Sequence, residues 1–196
     1  MTHPPTPDHL GDPSNEVPVV NIPNLLTVAR LIMVPIFGYL VLGIEQSNSA
    51  QWSSSAVFLI AALTDLVDGV WARRYGLVTN FGKITDPIAD KALIGTALIA
   101  LSIQGEIAWW VTGVIIFREI AITLLRFWVI KQGVIPASRG GKVKTVSQIV
   151  AIVAFLIPLG GWVDVVAQLS LGVALALTIT TGIDYVLKAR ILSRNH

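Results

Sequence analysis

Six stretches of this chain are each apolar enough to cross a bilayer: Leu25–Ile44, Trp52–Trp71, Ile84–Ile103, Ile107–Ile130, Thr145–Trp162 and Val165–Leu187. Each approaches or exceeds the roughly 20 residues that one helical crossing needs. The connections between them are short, which favours antiparallel neighbours in one compact bundle and leaves no stretch for a soluble domain. Only 13% of the 196 residues are charged, against roughly 25% in soluble domains. Too little charge remains to cover a surface that faces water. The absence of cysteine rules out a disulfide scaffold. The expected fold is therefore an all-α integral membrane protein of six transmembrane helices, formed by residues 21–196.

Residues 1–20 differ from the rest. Pro4, Pro5, Pro7, Pro13 and Pro18 lie among polar residues with no apolar run, the pattern of a disordered leader. The basic start, apolar centre and small-residue cleavage site of a signal peptide are absent from it. His3 and His9 read as solvated tail residues rather than metal ligands.

Orientation follows from the basic residues. The loops at 45–51, 104–106 and 161–164 contain no Lys or Arg. The loops at 72–83 and 131–144 and the tail at 188–196 carry Arg73, Arg74, Lys83, Lys131, Arg139, Lys142, Lys144, Lys188, Arg190 and Arg194. Positive charge stays on the cytoplasmic side, so these loops and both termini are expected to be cytoplasmic. The net charge of +2 is then a matter of topology and gives no reason to invoke nucleic acid.

The remaining charges lie within the spans: Arg30, Lys91, Arg118 and Arg126, with Asp65, Asp68, Asp86, Asp90, Glu119 and Asp184. A charge at mid-membrane costs at least ~2.5–3.5 kcal/mol, so such residues usually pair in a polar cavity. Asp65 and Asp68 fall near the end of the second span, and Asp86 and Asp90 near the start of the third. Spacings of three and four place each pair on one helix face. Four carboxylates at one level suit hard divalent cations, and could hold two ions about 3.5–4 Å apart for displacement at phosphorus. One carboxylate at a span end would need no more than Arg73 or Lys91 as a salt-bridge partner. Four would repel one another without a cation. A cation channel would instead spread its acidic residues through the membrane depth, and a structural scaffold has no use for such a cluster.

These residues resemble a known family. Asp65-x2-Asp68-Gly69-x2-Ala72-Arg73-x8-Gly82-x3-Asp86-x3-Asp90 is similar at every position to the signature of the CDP-alcohol phosphotransferases. The resemblance implies a six-helix membrane enzyme, generally a homodimer, that transfers a substituted phosphate from a CDP-linked donor to an alcohol and releases CMP. It implies that Asp65, Asp68, Asp86 and Asp90 are the metal ligands for two Mg²⁺ (or Mn²⁺) ions and that Asp90 is also the general base. It further implies that Asp65, Asp68, Gly69, Ala72, Arg73 and Gly82 surround the CDP moiety. The residue types agree: Gly lets a nucleotide approach the backbone closely, and Arg73 offers a planar fork for phosphate. Read alone, Gly69 serves helix packing equally well, and Gly82 reads as a turn residue.

A second layer of resemblance bears on the acceptor. Asn21-Ile22-Pro23-Asn24-Leu25-Leu26-Thr27-x2-Arg30-x4-Pro35, Arg118-Glu119 with Arg126, and Gly141-Lys142-Val143-Lys144-Thr145 resemble the phosphatidylglycerophosphate synthase branch. Cardiolipin synthases of the same family share parts of these patterns. The branch implies CDP-diacylglycerol as donor and sn-glycerol 3-phosphate as acceptor; phosphatidylglycerol or an inositol phosphate are the alternative acceptors. Arg118, Arg126, Lys142 and Lys144 together suit an acceptor phosphate, with Glu119 placed to orient an arginine. Lys142 and Lys144 fit ordinary anchoring at the membrane surface equally well.

Overall fold

The computed structural model describes residues 21–43, 47–75, 79–129 and 139–194; the side chains of residues 23, 66–75, 80–84, 126–129, 139–140 and 188–194 lie outside that description. The leader at 1–20 is likewise outside the described residues. Six helices follow one another: α1 (Ile22–Leu42), α2 (Asn48–Tyr75), α3 (Asn80–Ile103), α4 (Trp109–Val129), α5 (Arg139–Leu156) and α6 (Trp162–Arg194). No strand occurs among the described residues.

Each helix occurs where an apolar run predicts one, with boundaries set by local chemistry. Asn21 caps α1, its side chain accepting from the Asn24 amide at 2.9 Å, and Pro23 sits in the first turn where its missing N–H costs nothing. The fifth helix departs most from expectation, starting at Arg139 and stopping at Leu156 rather than running to Trp162. Pro158 disfavours helical backbone at the residue before it. Gly160 and Gly161 then turn the chain at φ 63° and 64°, a region glycine enters without strain. In α3, Pro87 lies inside the helix, between Asp86 and Asp90.

The helices pack through small side chains. Ala61, Ala97, Ala100 and Ala151 are fully buried and let backbones approach. Around them Phe37 and Phe58 meet at a ring-centroid distance of 5.5 Å, and Leu98, Leu101, Ile115 and Ile152 complete the core. A buried hydroxyl pair, Ser102 and Thr112 at 2.7 Å, ties α3 to α4. Away from the core the surface is apolar: Leu25, Phe117, Leu124 and Leu169 are all more than 60% exposed, as helices facing lipid require. Among the described residues two helices, across Asn24–Leu42 and Trp162–Leu187, are long and apolar enough to cross a membrane by length and composition. The chain is an all-α membrane protein.

The two ends of the bundle differ. Gln104, just past α3, donates to the Val41 carbonyl near the end of α1 at 2.7 Å, so those termini lie together. Exposed Trp52, Trp109, Trp110 and Trp162 stand within the first two turns of α2, α4 and α6, at the end away from Asp65, Asp86 and Asp90. Tryptophan gathers at membrane interfaces, where its amphipathic ring is at home.

The packing makes a direct prediction. Phe58→Ala should destabilise the protein by about 3–5 kcal/mol, the cost of emptying a core aromatic site, whereas Phe117→Ala on the lipid-facing surface should change stability by no more than about 0.5 kcal/mol. Thermal melts in detergent of the two variants would check this; equal effects would contradict the described core.

Candidate active site

The site begins with α1, which is stitched to both aspartate-bearing helices. Arg30 is completely buried, and its guanidinium donates to Asp65 of α2 at 2.5 Å. One turn earlier, the Thr27 hydroxyl donates to Asp86 of α3 at 2.5 Å. Another turn toward the N-terminus, Asn24 accepts from the Thr79 hydroxyl at 2.9 Å. Residues 24, 27 and 30 recur at helical spacing, so one face of α1 carries all three contacts. Asp65 and Asp86, apart by 21 positions in sequence, are thus oriented by one helix. Asp65 pairs with Arg30, while Lys91 pairs with Asp90 and Glu119; the side chain of Arg73 lies outside the described residues.

The donor set is all carboxylate oxygen at Asp65, Asp86 and Asp90, the chemistry a hard divalent cation prefers. Asp65 and Asp90 keep side-chain exposures of 33% and 28%, so both remain accessible from outside the protein. Hydrogen bonds from Thr27 and Arg30 hold the carboxylates from behind, as ligands of metals are commonly held. Among the described residues no three His, Cys, Asp or Glu side chains are grouped so as to hold a metal ion. The side chain of Asp68, the expected fourth ligand, lies outside them. So do the side chains of Ala72, Arg73 and Arg126, together with Gly69 and Gly82; their backbones lie on α2, α3 and α4.

A second cluster adjoins the first. Lys91 follows Asp90 and bridges it, at 3.2 Å, to Glu119 of α4, at 2.5 Å. Glu119 also accepts from Arg118 at 2.9 Å and from Lys144 of α5. Arg118 in turn donates to the Thr181 hydroxyl of α6 at 2.7 Å. Glu119, only 7% exposed, is therefore the common partner of three cations carried by three helices. Among the described residues, with Asp90 included, three positive groups face two negative ones, a net positive balance.

The sequence-predicted residues thus divide. Asp90, Arg118 and Lys144 are brought into one connected network, and Glu119 orients Arg118 as expected. Asp65 and Asp86 are joined through α1. Lys142 is exposed, apart from that network, and no ion pair involves it among the described residues. Thr181 and the bridging role of Lys91 were not foreseen. Lys91 carried a signal, since a lysine inside a span needs partners; Thr181, a hydroxyl on a long apolar helix, carried none.

The chain is similar to known proteins over most of its length. A model of the CDP-alcohol phosphatidyltransferase family matches residues 20–180. A probable phosphatidylglycerophosphate synthase of Mycobacterium tuberculosis (strain ATCC 25618 / H37Rv) is 47% identical over 180 residues, covering 91% of this chain and 86% of the relative. A CDP-diacylglycerol–glycerol-3-phosphate 3-phosphatidyltransferase of Bacillus subtilis (strain 168) is 41% identical, covering 84% of this chain and 93% of that protein. One of the same name from Shigella flexneri serotype 5b (strain 8401) is 38% identical, with 87% and 95% covered.

The Glu119 cluster is testable by a double-mutant cycle. Glu119→Gln should cost about 3–5 kcal/mol of stability, because it strands buried cations without their counter-charge. Adding Lys144→Met should recover part of the loss, with a coupling of about 0.5–3 kcal/mol between the two sites. Strictly additive effects in thermal melts would remove Glu119 from its central role.

Proposed function

This chain belongs to the CDP-alcohol phosphatidyltransferase family, and we propose on that basis that it transfers the phosphatidyl group of CDP-diacylglycerol to sn-glycerol 3-phosphate. The products are phosphatidylglycerophosphate and CMP. The observation that supports a phosphate-bearing acceptor is the cationic network joined to Asp90 through Lys91. A neutral alcohol has no use for such a network; among phosphate-bearing acceptors the choice of glycerol 3-phosphate rests on the relatives. The names of the relatives support the same substrates.

In this reading the six helices cross the membrane six times, with both termini and the aspartate end facing the cytoplasm. That is where a soluble acceptor arrives and CMP departs. The protein works as a homodimer in the bacterial cell membrane, and the leader at 1–20 stands apart from the catalytic domain at 21–196. Asp65, Asp68, Asp86 and Asp90 hold divalent cations, two Mg²⁺ or Mn²⁺ ions. When bound, such ions offset the charge of the diphosphate and of the departing oxygen.

The protein's own groups do the rest. Asp65, Asp68, Gly69, Ala72, Arg73 and Gly82 surround the CDP moiety. Arg118, Arg126, Lys142 and Lys144 receive the phosphate of the acceptor, with Glu119 holding Arg118 and Lys144 in position and Lys142 at the outer rim. Asp90 takes the proton from the C1 hydroxyl as that oxygen bonds to the lipid-side phosphorus. The bond from this phosphorus to the bridging oxygen breaks, and CMP leaves with the bridging oxygen and its electron pair. Positioning and electrostatic complementarity supply most of the acceleration, as is usual for transfer at phosphorus.

Purified protein with Mg²⁺ should release CMP from CDP-diacylglycerol only when glycerol 3-phosphate is present, and not with phosphatidylglycerol or inositol phosphate in its place. Asp90→Asn should lower kcat by about 10²–10⁴-fold, the usual contribution of a general base. A wild-type rate in that variant would remove Asp90 from the proton transfer. Release driven equally well by another alcohol would reassign the acceptor.

A further inference from the structure

Beside the Glu119 cluster lies a cavity of about 430 Å³ between α3 and α4, within the roughly 300–1,000 Å³ of small-ligand sites. Lys91 and Glu119 line it part-way along, with Pro87, Ile88 and Thr123 toward the aspartate end. Its walls are apolar: Ile94, Gly95 and Leu98 on one side and Ile115 and Ile116 on the other. Into this apolar space α5 contributes one polar group, Gln148. That residue is 1% exposed, and its side-chain nitrogen has no hydrogen-bond partner among the described residues. Gln148 follows Lys144 by one helical turn and shares its face, so it stands one step deeper than the lysine that grips Glu119.

A buried amide N–H without a partner is costly, and most such groups are satisfied by something. The order of chemistry down this side of the bundle is distinctive: the carboxylates Asp86 and Asp90, then the ion cluster, then one amide, then hydrocarbon. A glycerolipid has the same order, with its phosphorus, its glycerol ester and its acyl chain. A carboxamide turned about its terminal bond presents N–H to an ester carbonyl.

We propose that this cavity receives one acyl chain of the donor lipid and that Gln148 donates a hydrogen bond to that chain's ester carbonyl. Gln148 thereby positions the donor along the membrane normal, with its phosphorus at the aspartates. The assignment rests on the phosphatidyltransferase reading above and adds to it a reason for preferring ester-linked over ether-linked donors. Gly95 offers an independent handle, because a Cβ built there meets nothing within 4 Å. A larger side chain at 95 would therefore enter the cavity without displacing the fold.

The test compares CDP-diacylglycerol with its dialkyl ether analogue, which has the same chains and no carbonyl. In the wild-type protein the ether donor should show a kcat/KM lower by roughly threefold to tenfold, the worth of one ordinary hydrogen bond. In Gln148→Met, similar in length and unable to donate, the two donors should become equal. Gly95→Leu should raise KM for the long-chain donor while leaving KM for a dihexanoyl donor as in the wild type. An ester preference that persists in Gln148→Met overturns the role of Gln148, and a Gly95→Leu protein with unaltered long-chain KM overturns the occupancy of the cavity. Absence of CMP release from either donor in the wild-type protein would instead overturn the phosphatidyltransferase reading itself, and this assignment with it.

Discussion

A carboxylate buried in hydrocarbon is untenable alone, and Glu119 is not alone. Lys91 of α3, Arg118 of α4 and Lys144 of α5 converge on its two oxygens, and Arg118 extends the connection to Thr181 of α6. Apolar packing between membrane helices tolerates small rotations and slides, because lipid is as apolar as the neighbouring helix. An ion cluster does not tolerate them. A helix turned by one residue would take its charged group out of reach and leave it unpaired. Glu119 therefore sets the rotation of four helices against one another, and the cavity and the basic groups beside Asp90 follow from that setting.

The other half of the site depends on α1. Asn24, Thr27 and Arg30 each give one polar contact to the segment from Asp65 to Asp86. The first helix is among the most apolar in the chain, yet its inward face is polar over two turns. This division explains why α1 both borders lipid and belongs to the site: its exposed residues Leu25 and Ile32 alternate with buried Thr27 and Arg30. The two networks meet on α3, where Asp86 belongs to one and Asp90 to the other.

Much of this was legible from residue order. Helix number follows from apolar runs, and the aspartates stand out because charge inside a span demands a reason. Two of the helices overrun their apolar windows at the polar ends that face each other, however. α2 extends from Asn48 to Tyr75 and α3 begins at Asn80, since backbone hydrogen bonding continues past the point where side chains turn polar. α5 errs the other way, because Pro158 ends a helix that hydropathy alone would carry to Trp162. Gln148 and Thr181 were silent for a different reason. A single neutral polar residue on an apolar helix has no meaning until a neighbouring helix supplies, or withholds, its partner.

Pro87 carries a consequence of its own. Lacking an N–H, it removes the rung of α3 that would reach back to the carbonyl of residue 83, one turn before the aspartate pair, and a helix bends most readily where a rung is missing. Asp86 and Asp90 stand at and just beyond that weakened turn, Asp86 tied to α1 by Thr27 and Asp90 linked to α4 through Lys91. The course of α3 past the proline is therefore braced by two neighbouring helices as well as by its own ladder.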